Sequence, residues 1–305
     1  MGIGQCLFGR ITILGLNCSS ASTARFHSFS AVIMATWKET AEGWIRQATV
    51  AVMSKGPVPR HIAFILDGNR RYARKKGATN TKVGHYEGFR QLEKVLEWCM
   101  DLGVEAVSVF AFAINNFNRS QEEVDYLMQL FREAFAAFAD NNALVDEYEI
   151  GIRVIGHLSY LPKDVEDLAH QVMDRTKHNT KRILNICCPY ASKDEMATAI
   201  QTTVRDVENG TLAKEDITAE TLDERMFTGA CPPLDMLVRT SGEIRLSDFM
   251  LWQASDHCQV HFVDCFWPEF SLWKMLPILL EYKIYQDHRH PRHYSQHALT
   301  SSKQE

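Results

Sequence analysis

A group of polar residues follows the first long apolar run of the chain and carries the most distinctive chemistry in the sequence. The apolar run covers residues 61–66 and reads as a buried strand. The residues after it are Asp67, Gly68, Asn69, Arg70 and Arg71. Arginine binds phosphate through paired N–H donors, and a neighbouring carboxylate suits Mg²⁺ that shares phosphate oxygens. This segment therefore predicts a site for a phosphorylated ligand and Mg²⁺, although a polar turn that ends a strand would have the same composition.

Similar polar segments follow two later apolar runs. The run 105–112 leads to Asn115, Asn116, Asn118 and Arg119, and the run 234–238 leads to Arg239, Gly242, Arg245 and Ser247. If the strands are parallel, all three segments meet at one edge of the sheet, where α/β proteins bind ligands. Together they supply five arginines, hydroxyl and amide donors, two glycines and the single carboxylate after the first strand. Such a set suits two diphosphates and one Mg²⁺.

The alternation of apolar runs and amphipathic segments predicts an α/β fold in a single domain. Strands are expected at 61–66, 105–112, 151–155, 182–188, 234–238 and 259–263, and helices at 84–102, 120–141, 162–180, 192–210 and 268–286. Serine and glutamate stand three residues apart at two helix starts, Ser120 with Glu123 and Ser192 with Glu195, which predicts capping boxes. We expect a mostly parallel central sheet of about six strands flanked by helices.

Composition and missing motifs exclude several classes of protein. The net charge of -5 and the lack of a basic stripe argue against nucleic-acid binding. The eight cysteines form no CxxC pair, which is typical of a reducing compartment. Neither a G-x-x-x-x-G-K-[ST] motif nor a G-x-G-x-x-G motif follows the first strand, so P-loop NTPases and Rossmann dinucleotide sites are excluded.

The two ends of the sequence differ from the middle. Residues 1–38 have no Asp or Glu, contain Arg10 and Arg25, and are serine-rich, which is typical of an organellar transit peptide. Met34 offers an alternative translation start. We predict a leader or disordered N-terminus over 1–38, an amphipathic helix over 39–56, a catalytic domain over 57–287 and a polar tail over 288–305. The amphipathic helix suits either a membrane surface or packing on the domain.

Six stretches of the sequence resemble, in order, the signature regions of the cis-prenyltransferases. They are 61–72, Gly84-His85 with Gly88, 112–119, 239–247, 251–253 and 267–269. The RTSGE and RLSDF segments look most like the eukaryotic dehydrodolichyl diphosphate synthase catalytic subunits. The resemblance implies an undecaprenyl diphosphate synthase-like fold. It also implies an enzyme that adds isopentenyl diphosphate repeatedly to farnesyl diphosphate with cis geometry, for dolichol synthesis and protein glycosylation.

The resemblance also implies a role for each polar residue. Asp67 would bind Mg²⁺ and help the allylic diphosphate leave, while Asn69, His85 and Asn116 would orient substrate or assist the leaving group. The allylic diphosphate would be held by Gly68, Asn69, Arg70, Arg71 and Arg119, and isopentenyl diphosphate by Arg239, Arg245 and Ser247. An apolar stripe on the helix from 120 would line a product tunnel or simply pack in the core. Its members are Leu127, Leu130, Phe131, Ala134, Phe135, Ala137 and Phe138.

Departures from the family pattern predict that the chain needs a partner. Ala113 and Asn115 stand where serine and glutamate are usual, so a proton-relay role for those family side chains does not carry over to this chain. The need for a partner is indicated by Cys258, which stands where homodimeric bacterial members carry a glutamate of the metal site. The family's C-terminal R-x-G motif is also missing after residue 287. We therefore expect a hetero-oligomer with a subunit resembling the Nogo-B receptor, peripheral on the cytosolic face of the endoplasmic reticulum membrane. The alternatives are a non-catalytic partner subunit, a homomeric enzyme of different product length and a phosphate-binding regulatory module.

Overall fold

The computed structural model describes residue 43 and residues 47–78, 80–140 and 143–288. The described residues from Val50 onward form one compact unit. Met53 is buried in its core, so residues 50–56 belong to the domain that the sequence started at 57. The leader predicted over 1–38 and nearly all of the tail predicted over 288–305 lie outside the described residues.

Six strands and a series of helices alternate along the unit. The strands are β1 (His61–Ile65), β2 (Ala106–Phe110), β3 (Ile150–Ile155), β4 (Arg182–Cys187), β5 (Met236–Thr240) and β6 (Gln259–Val263). Helix α1 is described over residues 47–53. It is followed by α2 (Asn69–Lys75), α3 (Lys82–Leu102), α4 (Gln121–Ala139), α5 (Ala143–Glu147), α6 (Lys163–Thr176), α7 (Ser192–Glu208), α8 (Ala219–Asp223) and α9 (Leu272–His288). No helix in the described part of the chain is long and apolar enough to cross a bilayer.

The sheet is parallel throughout, with the strand order β3-β4-β2-β1-β5-β6. Strand β1 lies between β2 and β5, and its last residue, Ile65, pairs with Phe110 and with Arg239. The segments after these three strands therefore begin side by side. This confirms the predicted α/β class, the parallel sheet and the edge at which the polar segments meet.

The core explains why β1 is apolar along its whole length. Alternate residues of a strand point to opposite faces, and both faces of a parallel sheet are normally covered. Ile62 and Phe64 pack into the larger cluster, where Phe64 lies 5.8 Å from Trp267 and 6.1 Å from Phe270 between ring centroids. Ala63 packs on the other face, with Tyr190 and Phe249 in the smaller cluster. The sheet thus holds the ends of β1, β2 and β5 rigidly.

Both predicted capping boxes are wrong, because each glutamate side chain contacts groups other than its N-cap amide. Ser120 is the N-cap of α4 but makes no side-chain cap bond, and the Glu123 carboxylate instead accepts a hydrogen bond from Arg119. Helix α7 has Ala191 as its N-cap and begins at Ser192. There the carboxylate of Glu195 accepts a hydrogen bond from the Phe227 amide at 2.8 Å and contacts the Tyr190 hydroxyl. Neither glutamate is therefore left to accept from the amide of its helix N-cap.

Helix α2 was not predicted, and it changes how the first polar segment is presented. Asn69, Arg70 and Arg71 form the first turn of this short helix rather than an open loop. The apolar pattern is too short there to be distinguished from a loop. The short helices α5 and α8 were also missed. All three are only five to seven residues long.

Candidate active site

A cavity of about 630 Å³ opens at the carboxyl ends of β1, β2 and β5. Every residue to which the sequence assigned a site role lines it: Asp67, Gly68, Asn69, Arg70, Arg71, His85, Asn116, Arg119, Arg239, Arg245 and Ser247. Arg74 and Glu243 also line the cavity and were not assigned a role. Six arginines therefore face one space together with two carboxylates, Asp67 and Glu243. The predicted gathering of these side chains is confirmed, whereas their individual roles remain predictions.

The turn between β1 and α2 requires glycine at position 68. Gly68 has φ of 99°, in the left-handed region that side chains disfavour. A Cβ atom there would also lie 2.7 Å from Cδ1 of Phe266. The tight turn brings Asp67 and the first residues of α2 to the same rim of the cavity. A Cβ atom at position 88 would likewise lie 2.5 Å from Oδ1 of Asn69. Helix α3 can therefore pack this close to α2 only because residue 88 is glycine.

An ion pair between a buried arginine and a partly exposed aspartate joins the ends of the neighbouring strands β1 and β5 in the cavity wall. Arg239 is 3% exposed, and its Nη2 lies 2.8 Å from Oδ2 of Asp67. The Gly68 amide donates to Oδ1 of Asp67 at 2.6 Å. On its other side, Nη1 of Arg239 donates to the Ser247 hydroxyl at 2.7 Å and to the carbonyl of Arg245. Arg239 therefore ties the end of β1 to the loop that follows β5.

That loop has an unusual backbone. Four of its non-glycine residues have positive φ, Ser241 at 85°, Ser247 at 52°, Asp248 at 63° and Met250 at 46°. Such conformations cost about 1–3 kcal/mol each and persist only where surrounding contacts fix them. The contacts of Arg239 provide such fixation for Ser247. Strained backbone of this kind concentrates at binding and catalytic sites.

Two further carboxylates each gather cationic side chains. Glu243 lies 3.1 Å from Nη1 of Arg71 and pairs with Arg245, and Nη2 of Arg71 lies 3.5 Å from Asp67. The carboxylate of Glu123 contacts Arg70, His85 and Arg119. Sequence reasoning assigned Glu123 to a cap. Arg119 precedes the N-cap of α4, so the helical rule for pairs four residues apart does not apply, and the sequence alone does not indicate this ion pair.

Burial keeps His85 neutral. Its side chain is 9% exposed, and loss of solvation lowers its pKa to about 4. The nearby charge of Glu123 opposes this effect, while Arg119 and Arg70 add to it. At neutral pH one ring nitrogen of His85 carries a proton and the other can accept a hydrogen bond.

Asn116 has a partly structural role, because its Oδ1 accepts a hydrogen bond from the Ala113 amide at 3.0 Å.

An apolar cavity of about 100 Å³ adjoins the polar one. Leu66, Asn69, His85, Ala111 and Leu127 line both. The stripe of α4 contributes Leu127, Leu130, Phe131, Ala134, Phe135 and Phe138, so of the seven predicted residues only Ala137 does not line it. The two spaces together suit an amphiphile with a phosphorylated head and a hydrocarbon tail.

The donor set around Asp67 fits Mg²⁺ that is shared with a ligand. In the described part of the chain, no cluster of three or more His, Cys, Asp and Glu side chains could hold a metal alone. Mg²⁺ is commonly bound by one or two carboxylates together with substrate phosphates. Asp67 is 30% exposed and faces a space lined by phosphate-binding arginines. A metal here would therefore depend on both Asp67 and the ligand's phosphate oxygens.

The fold and the site define a class of enzyme that handles prenyl diphosphates, and comparison with known proteins agrees. The family described as "Putative undecaprenyl diphosphate synthase" matches residues 65–290. The chain therefore belongs to this family of cis-prenyltransferases. It is 44% identical over 235 residues to a dehydrodolichyl diphosphate synthase complex subunit of Schizosaccharomyces pombe, which covers 77% of this chain and 89% of that protein. The human subunit of the same description is 40% identical, over 79% of this chain and 74% of its own length.

A solved structure shows the same architecture. Lavandulyl diphosphate synthase from Lavandula x intermedia, in complex with dimethylallyl diphosphate, superposes with a TM-score of 0.68 at 27% sequence identity. The match covers 74% of this chain and 95% of that structure.

The pKa of His85 predicts a measurable pH dependence of stability. In the unfolded chain His85 would titrate at about 6.5, whereas in the folded protein its pKa is about 4. The unfolded state therefore binds the extra proton first as pH falls. The contribution of His85 to the free energy of unfolding is therefore fully present above pH 6.5. It is lost progressively towards pH 4, by about 3 kcal/mol.

Substitution of His85 tests this assignment. Urea unfolding at several pH values should show a smaller loss of stability between pH 6.5 and 4 for His85→Gln than for the parent chain. His178→Gln, at an exposed position on the surface, is the matched control. An identical pH dependence in His85→Gln and the parent would contradict a buried, neutral His85.

Proposed function

We propose that the chain is a Mg²⁺-dependent cis-polyprenyl diphosphate synthase. In this proposal it adds isopentenyl diphosphate units one after another to farnesyl diphosphate, and its product is a dehydrodolichyl diphosphate for dolichol synthesis and protein glycosylation. The observation that carries the proposal is the junction of the two cavities, where an arginine-lined space meets an apolar one at Asn69 and His85. The relatives named as dehydrodolichyl diphosphate synthase complex subunits support the choice of product.

The reaction would require charge to be stabilised where a diphosphate leaves. The bond between the allylic carbon and the diphosphate oxygen breaks, and the electron pair stays on the diphosphate. The double bond of isopentenyl diphosphate then supplies the electrons of the new carbon–carbon bond, and a proton leaves from the isopentenyl unit. Fixed cationic groups lower the barrier because they meet more negative charge in the transition state than in the substrate.

The chain's own residues are placed for these tasks. Arg70 and Arg119 would hold the allylic diphosphate through charge-assisted hydrogen bonds, aided by Arg71 and the Gly68 and Asn69 backbone. Arg239, Arg245 and Ser247 would hold isopentenyl diphosphate on the other side. Mg²⁺ bound by Asp67 and the allylic diphosphate would offset charge on the leaving group. Neutral His85 and Asn116 would orient the head group by hydrogen bonds.

The site favours a catalytic chain over a non-catalytic partner subunit. A partner that only supports another chain would not need Asp67, the arginines and the apolar cavity to be present together. A regulatory phosphate-binding module would account for the arginines but not for the adjoining apolar space. The length of the product and the choice of primer stay predictions from the resemblance, as does a position on the cytosolic face of the endoplasmic reticulum membrane.

Loss of the Asp67 charge should abolish the reaction. Asp67→Asn keeps the shape of the side chain but removes the charge that would bind Mg²⁺, so incorporation of labelled isopentenyl units should fall by about a hundredfold or more. Asp174→Asn, on the exposed face of α6, makes the same chemical change outside the site and should leave incorporation unchanged. Normal turnover in a folded Asp67→Asn variant would refute the proposed function.

Substitutions on the two sides of the cavity should affect different substrates. Arg245→Ala or Ser247→Ala should raise KM for isopentenyl diphosphate about tenfold to a hundredfold, because one charge-assisted contact is lost. Arg70→Ala should instead raise KM for farnesyl diphosphate. Steady-state assays that vary one substrate at a time measure both constants. If all three variants changed only KM for the primer, the division of the site would be wrong.

We propose further that the chain works with a second polypeptide, a subunit resembling the Nogo-B receptor. Both relatives named above are described as complex subunits. At the edge strand β6, Val260 and Phe262 are 36% and 39% exposed, on a face of a parallel sheet that is normally covered. Cys258, which stands in place of the bacterial glutamate, lies beside this strand and is partly buried. An apolar strand face at a sheet edge suits a protein partner.

Activity of the purified chain tests the need for a partner. Alone, the chain should incorporate isopentenyl units only weakly, and co-expression with the partner should restore the rate. Phe262→Glu should prevent both co-purification and restoration, while Ile200→Glu, at an exposed apolar position on α7, should prevent neither. Full activity of the chain without any second polypeptide would overturn this part of the proposal.

A further inference from the structure

We infer that Glu123 is a positioning residue that sets the geometry of the primer side of the cavity by holding Arg70, Arg119 and His85 together. The inference rests on the proposed function, because it assigns these three side chains to the primer diphosphate. Glu123 itself lines neither cavity within the described part of the chain. Any effect of Glu123 on the substrate is therefore exerted through the side chains that it contacts.

The geometry places one carboxylate at the meeting point of three separate segments. Glu123 lies in the first turn of α4. Its Oε1 is 2.8 Å from Nη1 of Arg119, which follows β2, and 3.6 Å from Nε2 of His85 on α3. Its Oε2 is 3.5 Å from Nη1 of Arg70 on α2. The contact with Arg119 is a hydrogen bond, and the other two are longer electrostatic contacts.

Electrostatics explains why this arrangement needs a carboxylate. Arg70 and Arg119 carry like charges and repel each other, and both belong to the wall of one cavity. Glu123 is only 13% exposed, so its attraction for them is weakly screened. Without it, Arg119 would lose its partly buried partner and the two guanidiniums would move apart. A ligand that needs both would then bind less well.

Positioning and simple repulsion predict opposite changes in diphosphate affinity when the charge of Glu123 is removed, which makes the inference testable. A carboxylate behind the wall repels an anionic ligand, so removing its charge would tighten diphosphate binding if the arginines kept their places. Loss of positioning would weaken that binding instead. The sign of the change in affinity therefore separates the two effects.

The experiment compares Glu123→Gln, Glu123→Asp and Glu122→Gln in the full chain, together with its partner if one is needed. Calorimetry measures Kd for farnesyl diphosphate and for isopentenyl diphosphate separately. In Glu123→Gln the Kd for farnesyl diphosphate should rise about tenfold or more, the size of one charge-assisted contact. The Kd for isopentenyl diphosphate should change less than about twofold, since its proposed contacts lie elsewhere. Glu123→Asp keeps the charge but has a shorter reach, and should also weaken primer binding.

Glu122→Gln is the matched control, because Glu122 is the neighbouring residue and its side chain is 81% exposed. It should bind both diphosphates like the parent chain. Unchanged or tighter binding of farnesyl diphosphate by Glu123→Gln would overturn the inference, and so would an equal weakening for both ligands. If Glu123→Gln does not fold, the same outcomes apply to Glu123→Asp. Failure of the parent chain to bind either diphosphate would refute the proposed function itself, and the inference with it.

Discussion

The ion pair between Asp67 and Arg239 is the contact on which the organisation of the site depends. It joins the ends of two neighbouring strands, β1 and β5, in the wall of the polar cavity. Removal of Asp67 would leave the buried guanidinium of Arg239 without its counter-ion, a loss that costs about 3–5 kcal/mol where both partners are buried and less where one is partly exposed. Because Arg239 also binds Ser247 and the carbonyl of Arg245, the same guanidinium shapes the strained loop beyond β5. The position of Asp67 and the shape of that loop are therefore not independent.

The parallel sheet makes this arrangement possible. Adjacent parallel strands deliver their following segments to one edge, so residues more than 170 positions apart in sequence become neighbours. Strands β1, β2 and β5 are buried almost throughout and supply no polar groups to the cavity beyond their last residues. The cavity wall is consequently built from short segments whose sequence is free of the packing constraints of the core. The apolar stripe of α4 is the exception, since it packs in the core and lines the second cavity at once.

The α/β class, the six strands and most of the polar residues that line the cavity could be predicted from the sequence, whereas Arg74 and Glu243 were not assigned to the site. The predicted features follow from apolar runs and from the polar residues after them, which are local signals. The sequence was not sufficient for the partners of each side chain. Glu123 and Glu195 stand at capping-box spacing, and only the tertiary structure shows that arginines in one case, and a tyrosine and a backbone amide in the other, compete successfully for them. Helix α2 was missed for a related reason, because seven residues are too few to show a helical period.

The position of Glu243 has a consequence for how readily the site can let a ligand go. Arg71 and Arg245 already face this carboxylate, so a diphosphate that approaches them must displace one anion with another. Affinity then reflects the difference between two attractions rather than the full attraction of the arginines for phosphate. An enzyme that extends a chain stepwise must release a diphosphate after every addition. When the Glu243 carboxylate pairs again with the two guanidiniums, it would favour that release and allow turnover to continue.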